Sequence, residues 1–131
     1  QRVIRALEVC LLSGRPFSSF KTAAHRDRDF LIEKVGLARP REELYSRINA
    51  RVMDMVEEGL VDEVRSLLPY RDCQALNTVG YKEIFDHLDG KLSLEEAVEK
   101  IQLNTRHYAK RQITWWRRDP GIRWLDPGEF Q

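Results

Sequence analysis

From Lys100 to Arg118 the chain carries Lys100, Arg106, His107, Lys110, Arg111, Arg117 and Arg118 without one aspartate or glutamate. Helical charges usually neutralise one another through partners three or four residues away. This stretch has no such partner, so it needs an outside anion or acids from elsewhere in the fold. A solvated basic face and a phosphate-binding surface are the two readings that the charge pattern leaves open. Arg47 and Arg51 stand four apart and share a helical face, where they can hold an anion or pair with Glu43, Asp54 or Asp62. Val79-Gly80-Tyr81 offers a glycine at which a ligand could approach the backbone closely, or a plain turn beside a core tyrosine. Other polar residues carry less. His25, His87 and His107 lack metal-ligand spacing, Asp86, Asp89, Glu95 and Glu96 read as caps and solvated faces, and Ser13 has no base beside it. Cys10 and Cys73 form no Cys-x-x-Cys or Cys/His pattern and read as reduced thiols, buried or partly so.

The elements that must position these groups are mostly helical. An amphipathic run through Val3, Ile4, Leu7, Val9 and Leu11 predicts a helix over about 2–12, ended at Ser13-Gly14. Residues 15–28 read as a polar loop. Residues 29–37 form the best strand candidate, bounded by Pro40, although a lone strand needs sheet partners that the chain hardly supplies. Leu44, Ile48, Val52, Met55 and Val56 recur at helical steps from Arg41 to Glu58, and Gly59 then separates a short helix over 60–68. After irregular residues 69–78 comes a short helix over 81–88. A Ser93–Glu96 capping box opens the longest helix, about 93–118, which Asp119-Pro120-Gly121 stops. Its spacing puts Leu94, Val98, Ile101, Tyr108, Gln112, Trp115 and Trp116 on one side and the cations on the other. Trp115 is expected in the core, with Trp116 open to either role. Residues 122–125 suit a second short strand.

The 131 residues fit one domain, and 22 Lys and Arg against 21 Asp and Glu leave no global field, so any basic surface is local. No apolar run approaches the roughly 20 residues of a membrane span, and no signal-peptide order opens the chain. The expectation is a soluble, cytoplasmic protein without disulfide or zinc site. A start at Gln1, running straight into an amphipathic segment, suggests a piece of something longer.

Four ordered blocks carry a resemblance. They are Gln1-Arg2-Val3-Ile4-Arg5-Ala6-Leu7-Glu8-Val9 with Ser13-Gly14; Arg47-Ile48-Asn49-Ala50-Arg51-Val52-Met53-Asp54-Met55 with Gly59-Leu60; Val79-Gly80-Tyr81-Lys82-Glu83; and the run from Thr105 to Arg117, Thr-Arg-His-Tyr-Ala-Lys-Arg-Gln-Ile-Thr-Trp-Trp-Arg. Together they resemble the tRNA dimethylallyltransferase family over nearly the whole chain, which corresponds to about the last two fifths of the family enzyme. The resemblance implies a mostly α chain with one or two short strands, the C-terminal part of an α/β phosphate-loop, nucleotide-kinase-like fold. Residues 1–28 would lead in, and 29–131 would supply core and tRNA surface. The implied reaction moves a dimethylallyl group from dimethylallyl diphosphate to N6 of the adenine on the 3′ side of the anticodon. Such a base has to leave its stack.

By the same resemblance Gln1, Arg2, Val3, Ile4 and Arg5, then Asn77, Thr78, Val79, Gly80, Tyr81 and Lys82, then Lys110, Arg111, Gln112, Ile113, Thr114, Trp115, Trp116 and Arg117 line the tRNA path. At least one of Arg47 and Arg51 would face the diphosphate, where a guanidinium can stabilise leaving-group charge. The expected partners are a tRNA anticodon stem-loop and dimethylallyl diphosphate, with no DNA and no membrane, and Mg2+ in the full-length enzyme. The family's Gly-x-x-x-x-Gly-Lys-Ser/Thr loop and its base, an aspartate, do not occur in this stretch, so no catalytic residue is assigned here and the 131 residues alone are expected to be inactive. Two rivals stand beside this reading: a helical RNA-binding module with no enzymatic role, and a structural domain whose basic helix meets acids of a missing half.

Overall fold

The computed structural model describes residues 2–20 and 29–130. The chain divides into two compact units, Gln1–Ile32 and Glu33–Gln131. The first contains α1, Arg2–Ser13, followed by a 3-10 turn at Phe17–Phe20. The Gly14 amide donates to the Cys10 carbonyl and the Ser13 hydroxyl to that of Val9, which closes the last turn as the Ser-Gly pair predicts. The apolar stripe of α1 is open, with Val3, Ile4, Leu7, Leu11 and Leu12 all exposed. Residues 21–28 of the expected loop, including His25, and the binding candidate Gln1 lie outside the described residues.

The second unit runs β1 (Lys34–Leu37), α2 (Arg41–Glu57), α3 (Leu60–Ser66), α4 (Tyr81–Leu88), α5 (Leu94–Trp116) and β2 (Ile122–Leu125). Gly59, at φ 103, separates α2 from α3 where a break was expected. The Ser93 hydroxyl accepts from the Glu96 amide while the Glu96 carboxylate accepts from the Ser93 amide, so the capping box forms as read. The core sits where α2, α3, α4 and α5 meet: Val52, Leu60, Val64, Ile84, Phe85, Ala97 and Ile101. Below α4, Arg71 forks onto both oxygens of Asp89 at 2.9 Å, with the Lys91 ammonium 2.8 Å from one of them. These bonds, Arg71 first, hold the Asp89 carboxyl well below the usual carboxylate range.

Two expectations about the strands need correction. The first strand covers Lys34–Leu37 rather than 29–37, and it does have a partner in this chain. β1 pairs in parallel with β2, Lys34 opposite Ile122 through Leu37 opposite Leu125. The ladder can extend no further than the four residues of β2, which leaves Asp29–Glu33 outside it. Gly36 is the tight point of this pairing. A Cβ there would lie 2.8 Å from Trp124 Cε3 and 2.9 Å from Ile122 Cγ2. Gly36→Ala should therefore cost about 1–3 kcal/mol through overpacking, read as a lower urea midpoint, and an unchanged midpoint would contradict this close approach.

A third correction concerns α5. Its 23 residues span about 34 Å, far more than the 8-residue α4 can cover. Only Leu94, Ala97, Val98 and Ile101 pack with the core. Past Arg106 the helix runs beyond α4, bordered by the start of α2 and by the sheet: Tyr108 is exposed, Trp115 is 63% exposed and Trp116 47%. Trp115 is thus not a core residue. Cys73 is exposed rather than buried, and Cys10 is half-buried.

Candidate nucleic-acid interface

The overhanging half of α5 presents its cations to solvent. Lys110, Arg111, Arg117 and Arg118 are exposed, and among the described residues none of them, nor Lys100 or His107, forms an ion pair. The helix's own C-terminal partial charge answers some of the positive charge at Arg117 and Arg118. Lys110 and Arg111 lie nearly two turns earlier, beyond that reach. Arg106 departs from the expected basic side: its guanidinium donates to Asn49 Oδ1 at 2.9 Å and lies 5.8 Å from the centre of the Tyr45 ring. It serves the seam between α2 and α5, together with Gln102, whose amide donates to the Asn49 carbonyl.

The run from Lys110 to Arg117 divides among three hollows. Lys110, Arg111, Thr114 and Trp115 join His107 and Arg118 around a depression of about 450 Å³. Lys110, Thr114 and Arg117 also border a groove against the start of α2. Gln112, Ile113 and Trp116 turn instead toward Val35, Leu37 and Trp124 of the sheet, across a hollow of about 780 Å³. The Thr114 hydroxyl donates to the Lys110 carbonyl at 2.8 Å, so toward a ligand it has only its lone pairs to offer.

The Val79-Gly80-Tyr81 turn is held more tightly than its sequence suggests. Gly80 is buried and sits at φ 102, ψ −63, the N-cap of α4, a conformation that a residue with a Cβ adopts only under strain. Its amide donates at 2.8 Å to one oxygen of Glu83, and the other oxygen accepts from the Asn104 amide of α5 at 2.7 Å. Glu83 is 5% exposed and makes no ion pair among the described residues. A buried carboxylate satisfied only by neutral donors ties the glycine turn to the basic helix. Asn77, Thr78 and Val79 are exposed before it. The Tyr81 hydroxyl donates to the Glu63 carboxylate, and that bond, with burial, pushes the phenol above its usual value. Lys82 is exposed, facing a hollow shared with Arg71 and Asp86, which Asp89 and Lys91 respectively answer.

Arg47 and Arg51 are both exposed on α2. None of the acids weighed against them is their partner, since Glu43 pairs with Arg39 and Asp62 with Arg65, while Asp54 pairs with nothing among the described residues. In the first unit Arg2, Val3, Ile4 and Arg5 lie exposed on α1, Arg5 bonded to Glu8. Sequence reading gave no role to Glu83, Asn104, Asn49 or Tyr45. Only Glu83 was signalled, standing three residues after a helix-opening glycine as Glu96 does after Ser93. Among the described residues no helix is long and apolar enough to cross a membrane, and no group of three or more His, Cys, Asp or Glu could hold a metal ion.

The family model described as IPP transferase matches residues 1–119. The chain is 55% identical over 127 residues to tRNA dimethylallyltransferase 1 of Bacteroides thetaiotaomicron, covering 97% of this chain and 41% of that protein. It is 54% identical to tRNA dimethylallyltransferase 2 of Porphyromonas gingivalis, covering 97% and 42%. Among solved structures, the full-length tRNA isopentenylpyrophosphate transferase of Bacillus halodurans matches with TM-score 0.70 and 45% identity, over 95% of this chain and 38% of that one. The tRNA isopentenylpyrophosphate transferase of Staphylococcus epidermidis matches with TM-score 0.75 and 36% identity, over 99% and 44%. The chain thus spans about two fifths of the length of these relatives. With the match running from the first helix to the end of the basic one, the chain belongs to the IPP transferase family.

Proposed function

We propose that this chain supplies the tRNA-contacting surface of a tRNA dimethylallyltransferase, an enzyme that transfers the five-carbon group to N6 of the adenine following the anticodon. The observation that carries the reading is the unanswered positive charge on the exposed half of α5. In the reaction the amine nitrogen bonds to the allylic carbon as the carbon–oxygen bond to diphosphate breaks, and the amine proton passes to a base. That base, the expected aspartate, and the phosphate loop belong to sequence outside these residues, so the chain alone contributes binding and no transfer. Mg2+ would accompany the diphosphate in the full-length protein. Lys110, Arg111 and Arg117 would meet phosphates, Trp115 offers a face on which a base can stack, and the Gly80 turn would border the displaced adenine. Arg47 or Arg51 would answer the diphosphate. A cytoplasmic setting goes with such a substrate.

Filter binding of the full-length protein to matched anticodon stem-loops tests this. Binding should weaken steeply with salt, should favour the stem-loop with adenine after the anticodon, and should be accompanied by transfer that the isolated 131 residues lack. Equal affinity for both stem-loops would instead favour a generic basic module. Absence of any salt-dependent binding would favour the structural domain and remove the phosphate-contact reading.

A further inference from the structure

The groove between the start of α2 and the end of α5 brings together cations from two elements that the sequence separates widely. It has a volume of about 280 Å³ and is bordered by Arg39, Arg41 and Tyr45 on one side and by Lys110, Thr114 and Arg117 on the other. Arg39 is answered by Glu43. Arg41, Lys110 and Arg117 have no ion pair among the described residues. Three positive charges thus converge on one concavity with no ion-pair partner among the described residues to neutralise them, a cost that an anion would remove.

Arg41 is also held in position. Its guanidinium carbon lies 5.1 Å from the centre of the Tyr45 ring, and Arg106, fixed by Asn49, lies 5.8 Å from the same centre. The ring attracts both cations, so an arginine that would otherwise sweep through solvent is kept at the lip of the groove. A guanidinium fixed in this way has less entropy to lose when it takes a phosphate in its planar fork.

We propose that this groove is a phosphate site for the RNA backbone, in which Arg41, Lys110 and Arg117 hold the anion and Tyr45 positions Arg41. It rests on the RNA-binding reading above and extends it to α2. A free diphosphate shares the same chemistry, but Lys110 and Thr114 border both this groove and the adjoining depression of Arg111 and Arg118. A polymer with a charge at every step can occupy both hollows at once, whereas a single small anion fills one.

The test uses the full-length protein, an anticodon stem-loop over a salt series, and separate titration with dimethylallyl diphosphate. Arg41→Gln should weaken RNA binding roughly tenfold, the range of one charge-assisted bond, and should lower the slope of log affinity against log salt by about 1. Arg41→Lys should keep most of the slope and lose part of the affinity, because the charge remains while the fork and its seat on Tyr45 are lost. Donor affinity should stay at its wild-type value. If the wild-type slope is steep and Arg41→Gln leaves it unchanged, the groove proposal fails while RNA binding stands. If only donor affinity falls, the groove belongs to the diphosphate and the proposal is again overturned. A wild-type protein without salt dependence would instead remove the RNA-binding reading itself.

Discussion

Glu83→Ala is expected to destabilise the second unit by about 2–4 kcal/mol and to weaken RNA binding beyond what that loss of stability explains. The substitution removes both acceptors from the Gly80 amide and the Asn104 side chain. A lost cap is worth about 1 kcal/mol, and each buried donor left unpaired adds roughly 1–3 kcal/mol, less where water can enter the space. Glu83→Gln separates geometry from charge. Its carbonyl oxygen can still accept from Gly80, and its amide can donate to Asn104 if that side chain rotates to offer its oxygen. The glutamine variant should therefore lose under about 1 kcal/mol and keep its RNA affinity. Urea unfolding and stem-loop binding of both variants check this, and equal losses in the two would mean that the buried charge, not the bond pattern, sets the turn. Single substitution of Asn104 by leucine should reproduce part of the alanine effect, because Gly80 then keeps its acceptor.

That lock shows where sequence and structure part company. Ser93 announces its capping box through a hydroxyl that can accept from the amide three residues on, and the box forms as read. Gly80 has no side chain, so the reciprocal half of its box is silent, and the tie from Glu83 to Asn104 spans 21 positions of sequence. Helical periodicity likewise found the face of α5 that carries Val98 and Ile101. It could not tell that α4 ends too soon to cover Tyr108 or Trp115, because a period describes direction and not the length of the neighbour. Arg106 was read with the free cations because its partners, Asn49 and Tyr45, come from a helix more than fifty positions earlier. The strand candidate ran too long for a similar reason, its ladder being limited by the four residues of β2. The basic segment itself was legible, since the lack of acids between Lys100 and Arg118 is a local property that the fold can answer only by bringing carboxylates to it, and among the described residues it does not.

The same geometry predicts that stability and RNA binding respond to different residues. Ile84 is fully buried where α4 meets α3 and α5, and Ile84→Ala should cost about 2–5 kcal/mol, the transfer term plus the cavity left behind. The core holds seven buried hydrophobic side chains among the described residues, so little remains to redistribute the loss. For a domain whose whole stability is on the order of 5–15 kcal/mol, this should bring the urea midpoint down by about a third in the middle of both ranges, at nearly constant m-value. RNA affinity per folded molecule should fall far less than the midpoint does, because the Ile84 side chain is buried in the core while Lys110 and Arg111 are exposed on α5. Trp115→Ala makes the opposite case: at 63% exposure it removes little packing, and its effect should appear in binding. A core reading of Trp115 would require the reverse, a large midpoint loss on Trp115→Ala, and unfolding curves of the two variants side by side decide between them.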